Sequence, residues 1–418
     1  MNATTFALLF IAFLVTGLVL RLWLAYRQIS FVSRHQDHVP DAFANDIPAE
    51  AHQKAANYTA ARTRFGMIST VWGIAILLFW TVGGGIEMLD TWWSARVNSP
   101  LLVGLGVILS VATGSAVLDL PFSVWDQFVI EERFGFNRMS AGLFFADTVK
   151  QLLLSILLVT LLAAGVLWVM RATGDYWWLA AWAVWMGFTL VITWAYPRVI
   201  APLFNKFQAL EAGPLRERID ALLKRCGFTS RGVFVMDASR RSAHGNAYFT
   251  GFGRNKRIVL FDTLRKDLED EEVEGVLAHE LGHFRLRHIP QRLVLMAVFT
   301  LFGFMLLSWL ARQEWFYAGL GVDTASDHAA ILLFVLVAPV FTFFITPIGA
   351  WFSRRHEFQA DAYAVRHADA SALASALVKL YRENATTLTP DPVYSTFYHS
   401  HPPALIRIGR LRTQTPNG

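Results

Sequence analysis

The chain has 418 residues, of which 54% are hydrophobic, 14% aromatic and only 17% charged, whereas a water-soluble chain of this size carries nearer a quarter charged residues. The one cysteine, Cys226, excludes an intramolecular disulfide and any cysteine-rich metal site. The net charge of +5 lies mostly between apolar runs, where it reads as membrane-flanking charge and excludes a nucleic-acid-binding face.

Seven stretches are long and apolar enough to cross a bilayer, roughly 4–26, 67–86, 101–118, 152–170, 176–196, 293–310 and 329–352. The first has no basic residue before it and no small-residue cleavage site after it, which predicts a retained span and not a removed signal peptide. Arg27, Arg34, Lys54, Arg62 and Arg64 follow span one, and Arg133, Arg138 and Lys150 lie between spans three and four. The insert after span five is also rich in Lys and Arg, while the alternate segments carry little more than Arg96, Arg171 and Arg312. The positive-inside rule then places the amino terminus outside and the carboxyl terminus in the cytoplasm.

The polar insert 197–290 and the tail 353–418 fall on that same side, and their roughly 160 residues suit one compact domain. Within the insert, 232–238, 247–252 and 257–261 read as strands, the last two joined by the turn 253–256 into a hairpin-like pair. The acidic run 267–274 then opens a helix, because negative charge suits the positive end of the helix dipole.

That helix carries H-E-x-x-H. His279 and His283 are one turn apart on one face and can bind the same tetrahedral ion, while Glu280 can polarise a water for attack on a peptide carbonyl without being a ligand. The motif alone is equally compatible with an ordinary amphipathic helix; its place on a well-signalled helix in a polar insert favours the metal. In the tail, Glu357 and Asp361 share a helix face, as third ligand and as acceptor for the free N–H of a ligating histidine. His288 is the competing ligand. It lies about 500° of helical rotation beyond His283, off the shared face unless the helix breaks, and the longer H-E-x-x-H-x-x-G-x-x-H pattern fails at Leu286 and Ile289.

With these residues in place, the chain resembles the integral-membrane CAAX prenyl protease family, the a-factor-converting type of zinc endopeptidase. The resemblance runs through V-I-E-E-R-F-G-F-N at 129–137, Y-P-R-V-I-A-P-L-F-N-K-F at 196–207, N-A-Y-F-T-G-F-G at 246–253, A-H-E-L-G-H at 278–283, E-F-Q-A-D-A at 357–362 and S-H-P-P-A-L-I-R at 400–407. It implies a mainly α fold, with seven transmembrane helices forming a barrel-like chamber and a cytoplasmic zincin-like α+β metalloprotease domain. Residues 1–200 would form the membrane domain with spans one to five, and 201–418 the protease domain with spans six and seven. By the same likeness His279, His283 and Glu357 hold one zinc ion, Glu280 is the general base, and Asp361 is the acidic partner of the site. His401 and Arg407 lie near the substrate, and the strand after Asn246 pairs with an extended chain. The expected partners are a polypeptide, prenylated or otherwise membrane-associated, and the lipid bilayer.

Two other functions compete. A membrane quality-control protease shares the motif but normally has fewer spans. A non-catalytic transporter or receptor would place its ionisable groups within the spans, where Asp119 is the clearest acidic candidate, and a structural zinc site would not need Glu280.

Overall fold

The computed structural model describes residues 1–230, 232–250 and 257–413. Among them, seven helices are long and apolar enough to cross a membrane: Ala3–Arg34, Ala49–Trp80, Pro100–Glu131, Ala141–Ala172, Gly174–Phe204, His288–Leu310 and Asp327–His367. Six contain their predicted stretch whole and most overrun it, because helical geometry does not stop where the hydrocarbon does, whereas the second ends at Trp80, short of the predicted 86, and Ile86 belongs to a separate helix Gly85–Ser94. The first starts on Asn2, whose side chain accepts from the Thr5 N–H at 2.8 Å.

Consecutive spans are neighbours, and the seventh returns to pack against the first, so the seven close into a ring. One end of the ring is filled: Phe6 and Phe10 of span one pack with Val107 of span three, Leu167 of span four, Leu333 of span seven and the connecting residues Phe316 and Leu320. At the other end sits a second core, built from Ile219, Leu222, Ile258, Leu260, Leu277 and Ile408 of the polar segments. Few residues of spans two and five are covered by protein. An apolar helix exposed on nearly every side fits a stave of a hollow barrel, with lipid outside and open space within.

The capping domain holds a four-stranded sheet, formed by β1 (Phe207–Ala209), β2 (Val233–Met236), β3 (Ala247–Thr250) and β4 (Arg257–Phe261), in the order β1-β2-β4-β3. β2 and β4 run parallel, and β3 pairs antiparallel with β4 in the register Ala247↔Leu260, as the predicted pairing requires. The predicted turn 253–256 and the strand end 251–252 lie outside the described residues. β3 is an edge strand.

The loop between spans three and four and the span ends around it grip the chain leading into β3. The backbone N–H of Arg138 donates to the Arg241 carbonyl at 3.2 Å, and that of Ala243 donates to the Phe136 carbonyl at 3.1 Å. Buried Glu131 accepts from Tyr58 and Arg62, each at 2.5 Å, and stands 3.4 Å from His244 Nε2. Buried Asp147 accepts from Arg241 at 2.9 Å. The V-I-E-E-R-F-G-F-N block is therefore the joint through which the membrane ring holds the sheet edge.

Span seven differs most from expectation. The stretch ending near 352 and the Glu357 helix are not separate elements: a helix Asp327–Thr342 turns through Phe343–Ile345 and continues as Thr346–His367.

Candidate active site

The motif helix runs Asp270–Arg285, with Glu269 and Glu272 forming a capping box at its start. The acidic run does more than complement the dipole. Buried Glu272 accepts from Ser375 at 2.7 Å and Lys379 at 2.8 Å, and buried Glu274 accepts from Arg218 at 2.9 Å and from Arg225. These bonds fix the helix against its neighbours. Gly282 then lets the Thr346–His367 helix approach, since a Cβ there would stand 2.9 Å from the Ala360 Cα.

That close crossing brings His279, His283 and Glu357 together with one donor atom each, all within 4.8 Å of one another. The two histidine Nε2 atoms are 3.2 Å apart, and each is 3.4 Å from a Glu357 oxygen. The surrounding bonds decide what these atoms are. His279 Nδ1 donates to Asp361 Oδ1 at 2.8 Å, which leaves its Nε2 bare. His288 Nε2 donates to Gln359 Oε1 at 3.0 Å, so His288 Nδ1 accepts from His283 Nδ1 at 2.9 Å and His283 Nε2 is bare as well. Glu357 Oε2 is buried and has no hydrogen-bond partner among the described residues. Three lone-pair atoms facing each other with no proton between them repel, and a cation at their centre removes the conflict. The residues fit a metal ion.

Behind the donors, Arg407 makes a bidentate pair with Asp361, at 2.8 Å from Nε and 2.7 Å from Nη2. Arg407, expected near the substrate, borders the cleft, yet its buried guanidinium is engaged with Asp361 and packs against His279. Its guanidinium lies on the donor side of the cleft. His288 is the other departure. The helix does break, at Arg287 with φ 59°, and a new helix starts at His288. The break turns the His288 ring back onto the far nitrogen of His283 and stacks it on His356 with centroids 4.0 Å apart. No sequence signal marks this, because Arg is a poor residue for a left-handed backbone.

The donors open into a cleft of about 360 Å³ bordered by Asn246, Glu280, His401, His244 and Asn384. Glu280 stands beside the donors without being one of them. Desolvation, the largest influence, pushes its carboxyl above the ordinary range, while His279 and His283 pull it back. His401 is exposed at the mouth, with Nε2 3.5 Å from Glu357 Oε2. Asn246 leads into β3, whose outer edge has no strand partner among the described residues. His244 and Asn384 were not singled out from the sequence: Asn384 clamps Gly245 from both sides, accepting from its N–H at 2.9 Å and donating to its carbonyl at 3.2 Å.

A family model described as CAAX prenyl protease N-terminal, five membrane helices, matches residues 28–206, and one for peptidase family M48 matches 209–415. The chain is 32% identical to a CAAX prenyl protease 1 homolog of Arabidopsis thaliana, over 95% of each chain. Identity is 32% to the Homo sapiens homolog, over 94% of each chain, and 31% to CAAX prenyl protease 1 of Saccharomyces cerevisiae, over 93% of this chain and 91% of that one.

The chain belongs to the CAAX prenyl protease family of M48 peptidases.

Its fold agrees: the crystal structure of S. mikatae Ste24p matches with a TM-score of 0.89 at 30% identity, covering 98% of this chain and 100% of that one. This M48 peptidase is thus an integral, multi-pass membrane metalloendopeptidase that acts on polypeptides.

Proposed function

We propose that this M48 peptidase is a zinc enzyme that trims the C-terminal tail of prenylated CAAX polypeptides at the cytoplasmic face of its membrane. The observation that carries the reading is the set of three bare donors, two imidazoles and one carboxylate, opening onto a strand edge that is unpaired among the described residues, at the end of a ring of spans. Two histidines and a glutamate are a catalytic zinc set, with a fourth position free for reaction. Zinc, when bound, supplies Lewis acidity that polarises the scissile carbonyl and acidifies water.

The chain's own groups do the rest. β3 offers its edge N–H and C=O groups to an extended substrate, and Asn246 sets where that edge begins. The Glu280 carboxylate takes the proton of the attacking water and passes it to the leaving nitrogen; its raised pKa suits both halves of that transfer. Asp361 fixes the His279 tautomer, and Arg407 fixes Asp361. His401, at the cleft mouth, can donate to the carbonyl oxygen as it gains charge.

The deciding assay uses the full chain in detergent with a prenylated CAAX peptide and the same peptide without its prenyl group. The prenylated peptide should be cut with the higher kcat/KM; equal turnover would favour the quality-control protease instead. Topology has its own test, with Cys226 replaced and single cysteines placed at Ser230 or Thr413. Neither should react with an impermeant reagent added outside intact cells. Labelling of either would put the cleft on the wrong side for a cytoplasmic client.

A further inference from the structure

Beside the active site lies a second cavity of about 340 Å³, walled by the first span, the second span and the Pro392–Tyr398 helix. Its charged and phenolic lining offers donors alone: Arg21, Arg62, Tyr394 and Tyr398, with no carboxylate. Arg62 is already engaged by Glu131 and Asp126. Arg21 is not. Among the described residues its guanidinium meets no acceptor, only the Phe343 ring 3.9 Å from Cζ. The Tyr394 and Tyr398 hydroxyls likewise have no partner there, and desolvation raises both phenols, so both remain O–H donors.

Arg21 continues the inward stripe of Leu14, Gly17, Leu24 and Gln28, so it faces the protein and not lipid. A guanidinium within a span needs water or an anion to meet it. The cavity is also close to the chemistry. Tyr398 precedes His401 by three residues, a reach of about 10 Å at most, and His401 Nε2 is 3.5 Å from Glu357 Oε2. Arg354 anchors the intervening wall by donating to the Thr396 and His399 carbonyls at 3.2 and 2.7 Å.

We propose that this cavity receives the terminal carboxylate of the polypeptide substrate, gripped by Arg21 with Tyr394 and Tyr398. A planar carboxylate matches the guanidinium fork, and a carboxylate held a few residues from the metal donors makes the enzyme measure its cut from the chain end. The inward stripe disfavours a phospholipid phosphate as occupant. The inference rests on the tail-trimming reading above.

The test compares two prenylated peptides of one sequence, one ending in a carboxylate and one in an amide, on the full-length metal-loaded enzyme. Wild type should show a KM for the acid roughly ten- to a hundredfold below that for the amide, the usual strength of hydrogen bonds to a charged group. Arg21→Met should bring the acid/amide ratio to about one, Arg21→Lys should restore part of it, and Tyr398→Phe should narrow it. Taking the ratio within each variant cancels any loss of folded enzyme. A wild type indifferent to the terminus, or an Arg21→Met ratio equal to that of wild type, overturns the assignment while leaving the peptidase reading intact; with both peptides assayed again on anionic phospholipid vesicles, a stimulation by vesicles that wild type shows and Arg21→Met loses on both peptides alike overturns it in favour of a headgroup. Cleavage of neither peptide by wild type overturns the tail-trimming reading, and this inference falls with it.

Discussion

Glu280→Gln should retain its metal and lose turnover by at least about 10² to 10⁴-fold, the usual contribution of a general base. The side chain borders the cleft but is not one of the three donors that converge within 4.8 Å, so removing its charge leaves the metal set intact. An amide of the same shape keeps the packing of a helix crossed as tightly as Gly282 allows. What it cannot do is accept a proton. Metal content measured on the same sample separates this outcome from unfolding, and near-normal turnover with full metal occupancy would remove Glu280 from the mechanism.

Glu357→Ala and His288→Ala should divide by how they hold metal. Glu357 supplies a donor from a buried position, 3.4 Å from both histidine Nε2 atoms, and its loss leaves two ligands where a catalytic site uses three. Metal retention should collapse. Toward the donor set His288 reaches just the far nitrogen of His283, at 2.9 Å, and removing such an outer partner typically costs about 10 to 100-fold in metal affinity. Dialysis of both variants against a graded chelator, followed by metal analysis, gives the order. A His288→Ala protein that loses metal as completely as Glu357→Ala would make His288 a ligand.

What the sequence made legible is what is local or strongly periodic. The spans are visible as apolar runs, and His279 with His283 as an i, i+4 pair, because each signal is complete within a few turns. β1 is three residues long and went unseen, there being too little alternation in Phe207–Ala209 to register. The bidentate Arg407–Asp361 pair joins residues 46 apart, and Glu131–His244 joins residues 113 apart; such contacts are products of the ring closing on the capping domain. His288 shows a different limit. Its position depends on one left-handed residue, Arg287, which propensity argues against and tertiary packing imposes.

The unbroken passage of span seven into the Glu357 helix also sets an altitude. From the last apolar residue of that stretch, Phe352, to Glu357 the helix climbs five residues, about 8 Å at 1.5 Å each. An extended polypeptide covers that height in two or three residues. A bond two or three residues from whatever fastens its own chain to the bilayer is therefore already within extended reach of the metal donors, and one nearer the anchor than that falls short.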